Sequence, residues 1–242
     1  MIIEGNVSVK AALLSGRRKI QEIYVDEAKH QKDTAWILHR AQERHVPIHR
    51  VSREKIDGMA FGRTHGGLLA VVSERIFQIE EECMDGNKTF IAVVEGVEDP
   101  FNLGYIMRTL YSAGCTGLVL RARNWGQSEQ TILKSSAGAC DYMNVVMAED
   151  VAKSVAYFKK KGVFTYAAMR ADAIPYTEGN YERPVLIAIG GEMRGLSSSI
   201  RNEIDQNIYI PYANDFRMAL NAAGATAVLG FEVLRQRGFK TI

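Results

Sequence analysis

From residue 89 onwards, short apolar segments alternate with amphipathic ones, and this alternation restricts the possible folds more than any other feature of the chain. The segments that predict strands are IAVVEG, GLVLRA, YMNVVMA, VFTYAAM, PVLIAIGG and NIYIPY. The segments that predict helices are NLGYIMRTLYSAG, SEQTILKSSAGA, DVAKSVAYFKKKG, LSSSIRNEI and a long last one, MALNAAGATAVLGFEVLRQRG. Strands separated by helices predict an α/β fold with a mostly parallel sheet that helices cover on both faces. Ligands of such sheets bind beyond the carboxyl ends of the strands.

The first 75 residues predict a separate, smaller α/β unit. We expect helices at VSVKAALLSG, which ends at Gly16, and at DTAWILHRAQERH, where Asp33 is the expected cap. The expected strands are IQEIYVD, VPIHRVS and GGLLAVVS. The chain then becomes acidic and turn-rich, which predicts a linker at residues 76–88. The expected domains are therefore residues 1–75 and 89–242.

Composition excludes several classes of protein. Hydrophobic residues make up 47% of the chain and charged residues 24%, as in a globular protein rather than a disordered one. No apolar run approaches the ~18 residues of a membrane span, and the opening residues lack the pattern of a secretory signal. The 3 cysteines lie far apart, with no CxxC pair. This spacing disfavours a disulfide framework and a zinc site, so we expect no metal and a reducing, cytoplasmic location.

The basic charge is concentrated at the N-terminal end. Residues 1–75 carry 13 basic and 9 acidic side chains, a net charge of +4, whereas the rest of the chain has a net charge of −2. Six basic or histidine side chains are crowded into one short stretch: Arg40, Arg44, His45, His49, Arg50 and Arg53. The stretch is either a basic face that follows phosphates or a solvated helix and loop, and charge alone leaves both open.

Several familiar motifs of α/β enzymes are missing. The sequence contains no GxxxxGK[ST] phosphate loop, and no GxGxxG follows the first strand of the larger unit. It also contains no GxSxG nucleophile turn and no HExxH zinc motif. The commonest nucleotide, nicotinamide, hydrolase and zinc sites are therefore excluded.

Three strand ends carry the remaining candidate residues. In the first, IAVVEG leads into a helix at which Asn102 is a candidate cap, and Arg108 follows six residues later. Arg108 interrupts an otherwise apolar helix, which a phosphate or a buried carboxylate would explain. In the second, PVLIAIGGEMRGL places two glycines and Glu192 directly after a buried strand, where backbone can approach a ligand closely.

The third strand end leads into a helix rich in small residues. The strand IYI ends at Pro211, and a loop follows before the run LNAAGATA. Because these side chains are small, a ligand or another group could pack tightly against the start of the helix. Close packing of the helix on the sheet explains the small residues equally well. Asn221 is the polar residue that stands out within the run.

Taken in this order, the three segments resemble the signature motifs of the SpoU/TrmH family of SPOUT-class RNA ribose 2′-O-methyltransferases. The matching residues are Asn102 and Arg108 in the first motif, Gly190, Glu192, Gly195 and Leu196 in the second, and Ile210, Pro211, Leu220 and Asn221 in the third. KSSAGA at residues 134–139 and the closing FEVLRQRG resemble members that carry an N-terminal substrate-binding domain, which residues 1–75 also resemble. The resemblance covers nearly the whole chain. One departure is Ala219, which stands where the family usually has serine.

The resemblance implies a deep trefoil knot in residues 89–242 and S-adenosylmethionine (AdoMet) as methyl donor. It implies Asn102, Arg108, Glu192 and Asn221 as catalytic residues, with Arg108 stabilising the ribose alkoxide. It also implies that AdoMet is held by Gly190, Gly191, Gly195, Ile210, Pro211 and Leu220.

The partners that the resemblance implies are structured RNA, ribosomal rather than transfer RNA, and a second copy of the chain in a homodimer. Neither DNA nor a membrane is expected. Residues 1–75, which carry a net positive charge, are then the part that binds RNA. Two alternatives stay open: an RNA-binding protein of the same fold that is catalytically impaired, which Ala219 motivates, and an unrelated α/β enzyme of the nucleotide type.

Overall fold

The first part of the chain forms a small four-stranded sheet with three helices in the computed structural model, which describes residues 1–191 and 193–238, without the side chain of Gln127. Its elements are β1 (Ile2–Glu4), α1 (Gly5–Ser15), β2 (Ile20–Asp26), α2 (Lys32–Glu43), β3 (Ile48–Val51), α3 (Arg53–Met59) and β4 (Leu68–Val72). The strand order is β1-β4-β2-β3, and β4 pairs antiparallel with both of its neighbours while β2 and β3 are parallel. The expected small α/β unit is thus present in the fold.

The ends of the first two helices test the predicted caps. Gly16 follows α1 in the left-handed conformation, with φ of 67°, which glycine adopts without a side-chain penalty, so that prediction is confirmed. The Asp33 prediction is wrong. The helix α2 begins at Lys32, two residues earlier than a cap at Asp33 requires, so Asp33 lies inside the first turn, where its negative charge still complements the helix dipole.

The second part of the chain forms a larger sheet with helices. Its elements are β5 (Phe90–Glu95), α4 (Pro100–Ser112), β6 (Gly117–Arg121), α5 (Glu129–Ser135), α6 (Ala139–Tyr142), β7 (Val145–Ala148), α7 (Val151–Lys160), β8 (Phe164–Ala168), β9 (Ala173–Pro175), β10 (Val185–Gly190), α8 (Ser198–Arg201), β11 (Gln206–Tyr209) and α9 (Ala222–Arg237). The predicted strands are all present. The three-residue β9 was not predicted, because so short a segment carries no alternation to detect.

The seven strands of the large sheet lie in the order β7-β6-β5-β10-β8-β11-β9, and each adjacent pair is parallel. Alternate side chains of each central strand enter opposite apolar layers. In β5, for example, Phe90 and Val94 pack with α4, whereas Ile91 and Val93 pack with α7. Both faces are therefore covered, as predicted, and the carboxyl ends of all seven strands meet at one edge of the sheet.

The two sheets are joined by buried polar contacts. Arg18, which precedes β2, forms an ion pair with Asp141 of α6 at 3.0 Å, and both side chains are completely buried. The same guanidinium contacts Glu129. Burying these charges is tolerable only because they are paired. The small sheet is thus docked firmly on the helices that flank the large one.

The segment between the sheets is also packed. Gln78 pairs with the start of β7, since its backbone N–H donates to Val145 O at 2.9 Å and its side-chain oxygen accepts from Val145 N–H at 3.0 Å. Cys83 of a short 3-10 helix (Glu80–Cys83) is fully buried under β6. Among the described helices, none is long and apolar enough to cross a membrane.

Candidate functional site

A cavity of about 790 Å³ opens at the carboxyl edge of the large sheet. It lies where ligands of parallel sheets bind. Its walls come from the ends of β5 and β6, the start of α4, the turn after β10 and the first residue of α9. The lining residues are Glu95, Gly96, Val97, Glu98, Asp99, Asn102, Arg121, Gly191, Met193, Arg194, Gly195, Ser197 and Ala222.

The turn after β5 delivers Asn102 to this cavity. Asp99, not Asn102, caps α4: its carboxylate accepts hydrogen bonds from the backbone N–H groups of Phe101 at 3.4 Å and Asn102 at 3.0 Å. Pro100 occupies the first helical position, where no N–H is needed. The predicted capping role of Asn102 is therefore wrong. Its side chain is released from the helix end and lines the cavity instead.

The glycines after β10 allow two backbone segments to approach too closely for any side chain. A Cβ atom at Gly190 would lie 2.4 Å from the carbonyl carbon of Gly195. One at Gly191 would lie 2.3 Å from the carbonyl oxygen of Gly96, in the turn after β5. Gly191 N–H also donates to Glu95 O at 2.6 Å. The wall formed by Gly191 and Gly195 is therefore made of backbone held in a fixed position.

Glu95 and Arg121 are cavity residues that the sequence analysis missed. The carboxylate of Glu95 is nearly buried and accepts a hydrogen bond from Ser197 N–H at 2.7 Å. Its other oxygen lies 3.6 Å from the guanidinium of Arg121, whose side chain is 62% exposed. The available signal was a charged residue that ends each of two apolar strands. Glu95 ties the turn after β10 to the end of β5, and Arg121 places a positive charge at the cavity rim.

Arg108 lies outside the cavity, on the exposed face of α4. A buried carboxylate therefore does not explain its place in an apolar helix. Phe101 and Tyr105 occupy the same face, since residues four and three positions apart align along a helix. Phe101 is 54% exposed and Tyr105 is 49% exposed. Arg108 thus belongs to an exposed aromatic face of α4.

The third predicted motif is divided between a loop and a helix cap. The last helix, α9, begins at Ala222 rather than at residue 218 as predicted, and Asn221 caps it by accepting a hydrogen bond from Gly224 N–H at 2.7 Å. Asn221 therefore ends the loop and is not a polar residue within a helical run. Its neighbour Ala222 lines the cavity.

The remaining predicted residues of this motif lie in the loop before α9. Ile210 lines a separate, smaller cavity of about 280 Å³ that includes Arg170 and Tyr212. Leu220 is partly exposed, and its N–H donates to the hydroxyl of Tyr212 at 2.8 Å. Neither Pro211 nor Leu220 is among the described residues that line the large cavity. The structure thus brings Asn102, Gly191 and Gly195 together, with Gly190 packed behind them, whereas Glu192 lies outside the described residues.

The described part of the chain offers neither a reactive cysteine nor a cluster of metal ligands. Burial raises the pKa of each of the three thiols, at Cys83, Cys115 and Cys140, from 9.0 to about 12. Neutral thiols are poor nucleophiles and poor metal ligands. Within residues 1–191 and 193–238, no group of three or more potential metal-ligating side chains comes together.

Comparison with protein families decides which class of α/β protein this is. The model of the SpoU rRNA Methylase family matches residues 89–231, more than half of the chain. The chain belongs to the SpoU rRNA methylase family. A second family model, RNA 2′-O ribose methyltransferase substrate binding, matches residues 2–78. The resemblance found in the sequence is therefore confirmed, and the protein is an RNA methyltransferase of the SpoU/TrmH type.

Relatives of this SpoU protein match over nearly their whole length. A protein of Staphylococcus haemolyticus assigned to the TrmH family of tRNA/rRNA methyltransferases is 28% identical over 98% of this chain and 96% of its own. The solved structure of the SpoU methyltransferase AviRb from Streptomyces viridochromogenes, in complex with the cofactor AdoMet, has a TM-score of 0.82 at 19% identity and covers 98% of this chain and 90% of its own. An AdoMet-bound rRNA methyltransferase from Sinorhizobium meliloti has a TM-score of 0.81 at 22% identity, with 97% and 86% covered. At these identities the two structures establish the shared fold.

Proposed function

We propose that the protein transfers the methyl group of AdoMet to a ribose 2′-hydroxyl of structured RNA, and that ribosomal RNA is the substrate rather than transfer RNA. The observation that carries the proposal is the cavity that brings Asn102 of the first motif beside Gly191 and Gly195 of the second, at the carboxyl edge of the sheet. Two solved neighbours of this fold contain AdoMet. The family matches at residues 2–78 and 89–231 support our division into an RNA-binding part (1–75), a linker (76–88) and a methyltransferase part (89–242).

The described residues fit AdoMet as a ligand. A cavity of about 790 Å³ falls within the ~300–1,000 Å³ of typical small-molecule sites. Its glycine wall exposes backbone rather than side chains. The N–H groups of Gly191 and Gly195 already donate to Glu95 O and Gly191 O, so the wall offers carbonyl oxygens, which accept hydrogen bonds from an adenine amino group. We assign Gly190 to the support of this wall. We assign Ile210, Pro211 and Leu220 to the loop that closes over the cofactor.

AdoMet, when bound, supplies a methyl group on a positively charged sulfur, which is already a good leaving group. The protein therefore has to position the ribose and help its hydroxyl lose a proton. Asn102, at the cavity wall, orients the ribose. Arg108 stabilises the developing alkoxide as a permanent cation. The side-chain oxygen of Asn221 is occupied by the cap of α9, so its amide N–H groups remain to donate to a ligand.

A homodimer explains how Arg108 takes part although it does not line the cavity of its own chain. The helix α4 packs against α9, where Phe231 is 45% exposed, and a second copy would cover the exposed aromatic side chains of both helices. Arg108 lies on the exposed aromatic face of α4 and would then face the partner's cavity. Glu192, which we propose holds Arg108 or Asn102 in place, lies outside the described residues.

The dimer has a sharp test, because each site would combine residues of two chains. We expect sedimentation to show a dimer. We also expect that mixing Arg108→Ala chains with Gly191→Ala chains raises methyl transfer above that of either variant alone, since each mixed dimer has one intact site. The assay uses AdoMet near the wild-type Kd, where both variants are strongly impaired alone. Activity that stays at the level of the separate variants after subunit exchange would contradict a shared site.

The substrate class is tested by methyl transfer from tritiated AdoMet into ribosomal and transfer RNA purified from cells that lack the gene. We expect incorporation into ribosomal RNA alone. Incorporation into transfer RNA alone would overturn that preference. AdoMet binding without incorporation into any RNA would instead favour the impaired RNA-binding protein that Ala219 suggests.

We propose the cytoplasm as the site of action, on the basis of the three free cysteines. We retain the trefoil knot as a prediction.

A further inference from the structure

One loop of the N-terminal sheet exposes an aromatic side chain that residues 1–191 and 193–238 leave uncovered. Phe61, in the loop between α3 and β4, is 82% exposed, more than any other phenylalanine, tyrosine or tryptophan among the described residues. Burial of an aromatic ring normally stabilises the folded state, and an exposed ring makes no such contribution. Neither the core nor the cavity at the large sheet accounts for its position.

The backbone that carries Phe61 is firmly held from below. The carboxylate of Glu4, at the end of β1, accepts hydrogen bonds from the N–H groups of Phe61 and Gly62. This carboxylate is completely buried and also forms an ion pair with Lys134 of α5 at 2.5 Å. A buried carboxylate satisfied by three donors is costly to disturb. These hydrogen bonds therefore fix the backbone that carries the Phe61 ring.

The other end of the loop is fixed as well. His65 is buried, and its Nδ1 accepts a hydrogen bond from Gly67 N–H at 3.1 Å. Its Nε2 lies 3.1 Å from the carboxylate of Asp57 on α3. Hydrogen bonds therefore hold the loop on both sides of Arg63, and the side chains of Phe61 and Arg63 are exposed. A ring held in this way loses little conformational entropy when it binds a partner.

The exposed residues that follow Phe61 on the loop are cationic and polar. Arg63 is exposed two residues further on, and Lys134 is partly exposed beside Thr64. Lys29 donates to the carbonyl oxygen of Gly66 at 2.5 Å. Asp57, an exposed acid on the preceding helix, is paired with His65. A protein-binding site would need a contiguous apolar patch, which the small and polar neighbours of Phe61 do not provide.

We propose that Phe61 stacks on an unpaired base of the RNA substrate, with Arg63 beside a phosphate that flanks this base. An aromatic face among cations is the usual means by which proteins hold splayed-out bases, because every base has a π face and every nucleotide a negative charge. The proposal rests on RNA being the substrate, as proposed above. It adds that the N-terminal part recognises a loop or bulge and not a plain duplex.

The test compares three substitutions at one position. The probes are a fluorescein-labelled RNA hairpin with a six-nucleotide unpaired loop and a blunt RNA duplex of the same total length. Phe61→Ala is expected to weaken hairpin binding roughly five- to hundredfold and to leave duplex binding unchanged. Phe61→Leu keeps an apolar side chain without a π face and is expected to behave like the alanine variant. Phe61→Trp is expected to retain hairpin affinity, and its added fluorescence to be quenched by the hairpin alone.

The outcomes separate this proposal from the function on which it rests. Equal hairpin affinity for wild type and Phe61→Ala, in a protein that methylates RNA, overturns stacking and leaves the methyltransferase intact. Equal affinity for wild type and Phe61→Leu shows a purely apolar contact and also overturns it. A wild-type protein that binds neither RNA overturns both. Matching thermal unfolding of the variants shows that the loop substitutions act on binding and not on folding.

Discussion

The substitution Gly191→Ala probes the tightest contact in the candidate site. The added Cβ would lie 2.3 Å from the carbonyl oxygen of Gly96 and 2.7 Å from its carbonyl carbon. Ordinary van der Waals contact begins at 3.4 Å, and the obstructing atoms are backbone rather than the flexible end of a side chain. The turn after β10 must therefore move by about 1 Å relative to the turn after β5.

The expected cost follows from the size of this displacement. Overpacking a close-packed site costs about 1–3 kcal/mol, part of it relieved by backbone movement. Because Gly191 lines the cavity, the movement that relieves this clash shifts a wall of the proposed AdoMet site. A shift of ~1 Å is enough to lower binding or rate by roughly a hundredfold. We expect AdoMet affinity to fall roughly ten- to hundredfold, while the melting temperature falls by only a few degrees.

Isothermal titration of AdoMet into wild type, Gly191→Ala and Gly58→Ala measures this effect. Gly58 is a matched control, since it is exposed in α3 and an added Cβ there meets no atom within 4 Å. Gly58→Ala is expected to bind AdoMet like wild type. Wild-type affinity in Gly191→Ala would refute the reasoning, because it would place the cofactor away from the glycine wall.

Three further predictions concern catalysis, stability and pH. Arg108→Ala is expected to slow methyl transfer roughly 10²- to 10³-fold while AdoMet affinity, measured by titration, stays unchanged. Asp141→Asn leaves the buried guanidinium of Arg18 without its full partner and is expected to lower the free energy of unfolding in urea by roughly 3 kcal/mol; Glu129 remains as a second partner. The three buried thiols, with pKa values raised from 9.0 to about 12, stay protonated in the folded chain while they ionise in the unfolded one. The contribution of the three thiols to the free energy of unfolding is therefore expected to be fully present below pH 9. It is expected to fall as the pH rises towards 12, by roughly 1.4 kcal/mol per pH unit for each thiol.

Each of these predictions has a result that would contradict it. Full activity in Arg108→Ala would remove that residue from the chemistry. Unchanged urea unfolding in Asp141→Asn would show that the contact between the two sheets is not held by this ion pair. Rapid alkylation of the thiols in the native protein at neutral pH would show that they are accessible and ionised, against the burial on which the pH prediction depends.

Much of the fold was predictable because the strands carry their own pattern. Every strand of the large sheet except β9 lies in an apolar run bounded by turns, and a parallel sheet covered on both faces is the arrangement that buries such runs. The cap of α4 was harder, since Asp99 and Asn102 are both good capping residues three positions apart. Pro100 was the deciding signal, because proline favours the first helical position and so places the cap at Asp99.

The paired contacts of the candidate site were not predictable from spacing. Glu95 and Arg121 are far apart in sequence and meet because β5 and β6 are aligned with Val94 opposite Leu120, which brings the next residues side by side. Strand register depends on the packing of the whole sheet. The position of Arg108 is a similar case. Its spacing from Asn102 could be read from the sequence, but its place on an exposed aromatic face could not.

The central proposal is that this protein methylates the ribose and not the base of its RNA substrate. Its most direct test is mass spectrometry of nucleosides from ribosomal RNA incubated with the protein and AdoMet carrying a deuterated methyl group. The account predicts a single nucleoside whose fragmentation leaves the heavy methyl on the sugar, absent when the Arg108→Ala protein is used. A heavy methyl on the base fragment, or equal labelling by the Arg108→Ala protein, would contradict it.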